Sequence, residues 1–255
     1  MRLHPLALLL SFCALASAPL ASAAAATPLH QRLSQGYRLE TIAPGPFERV
    51  FNEGFLPLFP KAHPEGLLAY RPALPKPVKP CHLPAEIALL TFESEARYAQ
   101  YKETEIGRAI RDAHPPVFDA KTSKSLVPEV FEGQVQLEHA YDLQPKFDAY
   151  GRAHSALIVH CGKEAVDPAA LARVYAAPVK RAGKTPQPRD VIFAASGDHL
   201  IEYVFYDLPS DIPEIFKQRR ALFSPFYAES RLIPLKKTRI GAAPVRAGHG
   251  IDAQW

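Results

Sequence analysis

Apolar and polar positions change period along the chain in a regular order. Tyr37, Leu39 and Thr41 alternate with Arg38, Glu40 and Ile42, which predicts a strand ended by Pro44-Gly45-Pro46. Phe47, Val50, Phe51, Phe55, Leu58 and Phe59 then recur at steps of three and four, the mark of an amphipathic helix stopping before Pro60. Leu67 to Arg71 reads as a short strand, and a stiff proline-rich connection from Pro72 to Pro84 carries Cys81. Glu86 to Phe92 is a continuous apolar strand. Ser94 caps a helix whose inner face is Tyr98, Tyr101 and Ile106 to Ile110, and His114-Pro115-Pro116 ends it. After a loop rich in Lys, Thr and Ser, Val135, Leu137, His139 and Tyr141 alternate with Gln136, Glu138 and Ala140 as a last strand, 134–142.

The second half gives the same order. Ala156 to Cys161 is a strand, and Asp167-Pro168 opens a helix marked by Leu171, Val174, Tyr175 and Val179. Val191 to Ala194 and Leu200 to Tyr206 are strands joined by the hairpin turn Ser196-Gly197-Asp198. Asp211 and Glu214 start a helix through Ile212, Ile215, Phe216, Leu222 and Phe226, and Lys236 to Ile240 closes the unit. The pattern therefore predicts an α+β chain of two tandem ferredoxin-like β-α-β-β-α-β units, 34–145 and 150–241, packed sheet to sheet as an intramolecular barrel. Residues 24–33 read as a disordered leader and the aperiodic residues 242–255 as a mobile tail.

The run Ala88-Leu89-Leu90-Thr91-Phe92-Glu93-Ser94-Glu95-Ala96, followed by Tyr98 and Tyr101, resembles the dimeric α+β barrel superfamily of stress-responsive and antibiotic-biosynthesis-monooxygenase proteins. That superfamily includes cofactor-free monooxygenases, haem-degrading and haem-dependent enzymes, small lyases and proteins with no known activity. The resemblance implies a fold and a pocket position. It does not choose a chemistry.

The ends and the composition place the chain. Arg2 precedes the apolar stretch Leu6 to Ala16, and the small-residue run Ala21-Ser22-Ala23 follows. That order predicts a signal peptide over 1–23 and a periplasmic or secreted mature protein. The stretch is shorter than the roughly 20 residues a bilayer span needs, so no membrane anchor is expected after cleavage. The formal net charge is +4, with the basic residues dispersed, which argues against a nucleic-acid partner. Cys81 and Cys161 are the cysteines left after processing. Without a C-x-x-C spacing, they are expected to form a disulfide.

The chemistry-bearing candidates are few. On the strand 134–142, His139 and Tyr141 are expected to point inward, where they could act as a proton-transfer pair or a ligand-orienting pair, and His160 faces the interior of the matching second-unit strand. Glu202 sits inside an apolar strand, where burial would raise its pKa unless Arg71 or Arg152 paired with it. Arg71, Tyr98, Tyr101, Tyr203 and Tyr206 are the expected ligand-binding residues, suiting a flat, small apolar or aromatic molecule with a few polar anchors.

Neither H-E-x-x-H nor H-x-H occurs, so no metal is expected. No cofactor is required, although a haem could take His139, His154, His160 or His199 as axial ligand, without covalent attachment since C-x-x-C-H is missing. The leading expectation is an exported small-molecule-binding barrel of unassigned activity. The alternatives are a cofactor-free or haem-using oxidoreductase or lyase of the same superfamily, and a periplasmic protein-interaction module. The sequence sets no oligomeric state.

Overall fold

The computed structural model describes residues 28–79, 81–145, 153–162, 166–177 and 185–255. The expected signal peptide, 1–23, lies outside the described residues, as does Arg152.

The first unit starts earlier than its period suggested. β1 (His30–Gly36) takes in the last four residues of the expected leader, 30–33, because Leu33, opposite Leu89, and the following Gln35 are fully buried. The expected helix over 47–59 is an α-helix for one stretch only, α1 (Pro44–Val50). One wider turn (Phe51–Phe55) and a 3-10 stretch (Leu56–Glu65) carry the chain on, since Pro57, Pro60 and Pro64 cannot donate to an α-helical ladder. Phe47, Phe51, Phe55 and Phe59 are still buried along one side.

Next come β2 (Leu67–Leu74) and β3 (Glu86–Phe92). The single expected helix after Ser94 is two, α2 (Glu95–Glu103) and α3 (Glu105–Ala113). Thr104 divides them: its hydroxyl donates to Tyr101 O and accepts from Gly107 N at 3.1 Å, capping a new helix.

The unit's fourth strand is not 134–142 but β4 (Lys124–Leu126), inside the loop rich in Lys, Thr and Ser. A single residue, Val127, separates it from β5 (Pro128–Val130), and of the expected last strand only β6 (Ala140–Asp142) forms. Glu138, at φ 67°, breaks the alternation ahead of it.

The second unit comprises β7 (His154–Cys161), α4 (Pro168–Ala176), β8 (Asp190–Ala195), β9 (His199–Tyr206), α5 (Ile212–Phe223) and β10 (Glu229–Lys237). The expected mobile tail instead ends in β11 (His249–Gln254).

The strands form one eleven-stranded sheet in the order β4-β1-β3-β2-β11-β10-β7-β9-β8-β6-β5. Each unit contributes the ferredoxin-like order fourth-first-third-second, and β11 joins them, antiparallel to β2 and parallel to β10. At the far end β5 returns beside β1, so the sheet is a nearly closed barrel. The α+β barrel architecture is therefore contained in one chain. Among the described residues no helix is long and apolar enough to cross a membrane.

Alternation along each strand gives the sheet an inner face and a helix-covered outer face. The inner face joins Leu33, Ile87 and Leu89 of the first unit to Leu157, Val159 and Ile201 of the second in one core. Its polar centre is Arg71, whose Nε lies 2.9 Å from Asp252 Oδ1. Arg71 Nη1 donates to Thr91 Oγ1 at 3.2 Å, and Asp252 Oδ2 accepts from Ser155 Oγ at 2.9 Å. Beside this pair the Tyr203 hydroxyl crosses the barrel to Arg71 O at 2.7 Å and Ile87 O at 2.9 Å. Cys81 and Cys161 form a disulfide with Cα atoms 5.5 Å apart, tying the proline-rich connection to β7.

The Arg71 and Asp252 side chains are 2% and 0% exposed, so removing one charge strands the other. Asp252→Ala should cost about 3–5 kcal/mol, whereas Arg71→Met combined with Asp252→Leu should regain most of that loss. Urea unfolding of the three proteins measures this. A loss under about 1 kcal/mol for Asp252→Ala would show that the pair does not hold β11 in place.

Candidate functional site

The first unit leaves room between its sheet and its helices. A cavity of about 480 Å³ opens there. Its base is the outer face of β1, β2 and β3, where Ser34, Gly36, Tyr70, Glu86, Ala88 and Leu90 point. Phe55, Phe59, Tyr98, Tyr101, Ile110 and His114 close it from the helical side.

Glu86 is the chemical centre of this space. It opens β3, is 2% exposed, and accepts a short hydrogen bond at Oε1 from the Tyr70 hydroxyl. Tyr70 is held face to face on Phe59, with ring centroids 3.7 Å apart. Burial raises the Glu86 pKa to about 7, even though the Tyr70 hydrogen bond pulls the other way. The same burial, with the Glu86 charge beside it, pushes the Tyr70 phenol well above its ordinary range. Gly36 makes the arrangement possible: a Cβ there would lie 2.5 Å from the Phe118 ring and 3.2 Å from Glu86 Oε2.

His114 is the cavity's histidine. Its Nδ1 donates to Ile110 O at 2.6 Å, and burial lowers its pKa, so the ring is neutral with Nε2 as its acceptor. Three cations stand around the cavity, Arg32, Lys102 and Arg111; Lys124 also lines it, but its ammonium pairs with Glu138 and reaches Ser196 of the second unit. Arg32 and Lys102 both lie over the Tyr98 ring, at 4.9 and 5.1 Å from its centroid. The site thus combines aromatic walls, a carboxyl at the base whose pKa is raised to about 7, and positive charge around it.

The second unit places a carboxylate on the corresponding third strand and fills the space around it. Glu202 Oε2 lies 2.9 Å from His160 Nε2 and accepts from Arg219 Nε at 3.2 Å. Its Oε1 accepts from Tyr175 OH at 2.7 Å and makes a short bond with Arg219 Nη2. Burial alone would raise the Glu202 pKa, but Arg219 and His160 hold it at about 2. The expected partners are corrected: Arg219 of α5 supplies the cation, while Arg71 is committed to Asp252. Tyr175 and Phe223 pack on the Arg219 guanidinium, at 5.4 and 5.0 Å. His160 spends its other nitrogen on Ser230 Oγ at 2.8 Å.

Of the candidate residues, Tyr98 and Tyr101 line the cavity. Arg71, Tyr203 and Tyr206 do not line it; all three are buried, the first two at the barrel centre. His139 is not inward-facing, because its segment is not a strand; its side chain is 44% exposed, with Nδ1 3.6 Å from Glu129 Oε1. Tyr141 is a core residue, and its hydroxyl accepts from Gln136 N at 2.8 Å. His139 and Tyr141 therefore form no proton-transfer pair.

Glu86, Tyr70 and His114 escaped sequence reasoning. The signal for Glu86 was present: a charged residue at the head of an apolar strand, the same cue that marked Glu202.

No protein-family model and no curated protein sequence matches the chain. Among solved structures, a candidate monooxygenase from Fusobacterium nucleatum aligns over 81% of this chain and 90% of its own, at 8% identity and a TM-score of 0.42. A candidate monooxygenase from Lactobacillus acidophilus aligns over 80% and 91%, at 10% identity and 0.39. An anthrone oxidase-like protein aligns over 81% and 89%, at 10% identity and 0.37. Likeness this distant leaves the chemistry of the site to its own residues.

Glu86 gives the protein a pH dependence with a defined sign. Its folded pKa lies above the ordinary 4.5, so stability is full at low pH and declines as pH rises towards 7. Glu86→Gln removes that penalty. The variant should match the wild type near pH 4 and exceed it by about 3 kcal/mol at pH 8, measured by urea unfolding. Equal stabilities at both pH values would mean that Glu86 ionises as a solvated carboxylate does.

Proposed function

We propose that this is an exported small-molecule-binding protein whose first-unit cavity takes a flat, largely apolar, weakly acidic molecule and moves a proton to or from it through Glu86. One observation carries the reading: a buried carboxyl with a pKa of about 7, held by a tyrosine, forms the base of a 480 Å³ aromatic cavity. A general base works best when its pKa lies near the working pH. The ring of cations favours the anion over the neutral ligand, and the aromatic walls favour a planar one. Export is supported by the N-terminal signal pattern and by the disulfide.

The oxidoreductase alternative fits the same geometry, because deprotonation produces the electron-rich anion that an oxidation by dioxygen would consume. A haem does not fit the residues the sequence offered for it. His160 has both ring nitrogens engaged, His139 is at the surface, and neither these nor His154 and His199 line the cavity. No step is assigned to haem.

The test uses substituted naphthols, whose phenol and phenolate forms differ in absorbance. Wild type should bind them with a rise in Tm and an increased phenolate fraction. Lys102→Ala should weaken binding roughly two- to fivefold, and Leu90→Trp, which fills the cavity, should abolish it. In Glu86→Gln the bound phenolate fraction should no longer follow a group titrating near 7. Absence of any binding, or binding unchanged by Leu90→Trp, would overturn the assignment of the cavity. Binding with an unaltered pH profile in Glu86→Gln would overturn the role of its carboxyl.

A further inference from the structure

A second cluster lies where the turn between β8 and β9 meets the proline-rich connection. Cys81 Sγ, a carboxylate oxygen of Asp198 and a ring nitrogen of His199 lie within 4.8 Å of one another. Cys161, the disulfide partner of Cys81, sits directly across from His199 in the pairing of β7 with β9. His199 is 1% exposed. Its Nδ1 is 2.7 Å from Asp198 Oδ1, while its Nε2 is buried with no hydrogen-bond partner. A buried nitrogen without a partner carries a desolvation cost that a ligand would remove.

We propose that this cluster is a redox-gated metal site: when the disulfide is reduced, Cys81, Cys161 and His199 bind one divalent ion of the zinc class. An external dithiol reductant, which leaves as its own disulfide, supplies the two electrons and two protons that turn the S–S bond into two thiols, and the ion displaces both thiol protons on binding. Two thiolates and an imidazole are the donor set that selects zinc-class ions, with water completing a tetrahedron.

His199 binds through Nε2. Asp198 is the positioning residue: its Oδ1 holds Nδ1, and its Oδ2 is fixed by His82 N at 2.6 Å. Lys124 reaches Ser196 Oγ at 3.4 Å, but its ammonium is already paired with Glu138, so it offsets little of the thiolate charge. The ligands come from residues 81, 161 and 199, so no short motif marks them. The disulfide and the metal are then alternative clips. Each ties the proline-rich connection to the first strand of the second unit.

The experiment uses the full mature chain with Co²⁺ as a spectroscopic probe. A phosphine serves as reductant, since it supplies the electrons by becoming a phosphine oxide and adds no competing thiol. The oxidised protein should take up no Co²⁺. The reduced protein should bind one equivalent, with a thiolate-to-cobalt charge-transfer band and visible bands of a tetrahedral site. His199→Ala should lose that spectrum. Asp198→Asn should keep the spectrum while weakening affinity about 10- to 100-fold, a combination that general destabilisation would not give. Far-UV circular dichroism follows folding throughout; if the reduced chain unfolds, Co²⁺ should restore its spectrum. Failure of the reduced wild type to bind or refold with Co²⁺, or a spectrum unchanged in His199→Ala, would overturn the proposal.

Discussion

The barrel depends on a buried charge that, among the described residues, is neutralised from the last strand. Arg71 points from β2 into the interior, and a guanidinium taken out of water there costs several kcal/mol unless an anion meets it. Asp252 is that anion, and it arrives on β11, which also supplies the backbone partners missing from the facing edges of β2 and β10. Two unsatisfied strand edges and one buried cation are therefore resolved by six residues, His249–Gln254. Ser155 and Thr91 complete the network, and Tyr203 adds a hydrogen bond from the opposite wall. Strands β2, β3, β7, β9 and β11 are thereby referred to the same centre.

The two units solve one problem in opposite ways. Each places a glutamate on its third strand, facing the helices. Around Glu202 the second unit assembles Arg219, His160 and Tyr175, so the charge is stabilised and the space is filled. Around Glu86 the first unit offers one phenol and leaves the space open. The desolvation of Glu86 is only partly offset by Tyr70, beside an open cavity, whereas that of Glu202 is more than offset by Arg219 and His160. A strongly perturbed pKa in a cleft distinguishes the former from a structural ion pair.

Much of this architecture was legible from period alone, and the exceptions have physical causes. β3, β7 and β9 are apolar runs that any partner sheet would bury, and the pairing of Cys81 with Cys161 followed from their being the cysteines outside the expected signal peptide. β4 reads Lys-Ser-Leu and β11 reads His-Gly-Ile-Asp-Ala-Gln, neither with strand propensity. They are strands because neighbouring edges demand hydrogen bonds. That demand is a tertiary fact. The reverse error arose at His139, where alternation was present but Glu138 in the left-handed region broke the strand. Glu202 was legible as unusual, yet its cation lay 17 residues along on a helix face that sequence could not aim. Tyr98 and Tyr101 were legible as cavity residues because they share one helical face, whereas Glu86 was absorbed into the strand it begins.

The position of Glu86 also rests on the other unit. The connection from β2 to β3 is rich in proline and makes no strand of its own, so it needs an external anchor to set where β3 begins. The anchor comes from the second unit in two bonds, the disulfide from Cys81 to Cys161 and the hydrogen bond from His82 N to Asp198 Oδ2 at 2.6 Å. Glu86 follows Cys81 by five residues and is the first residue of β3. A shift of the connection would move that carboxyl relative to Tyr70, whose own place on Phe59 is fixed by stacking. Unlike a single-unit protein that sets its site within one sheet, this chain uses its second unit as the fixed point. That gives the filled, ion-paired unit a reason to be rigid: it positions the open one.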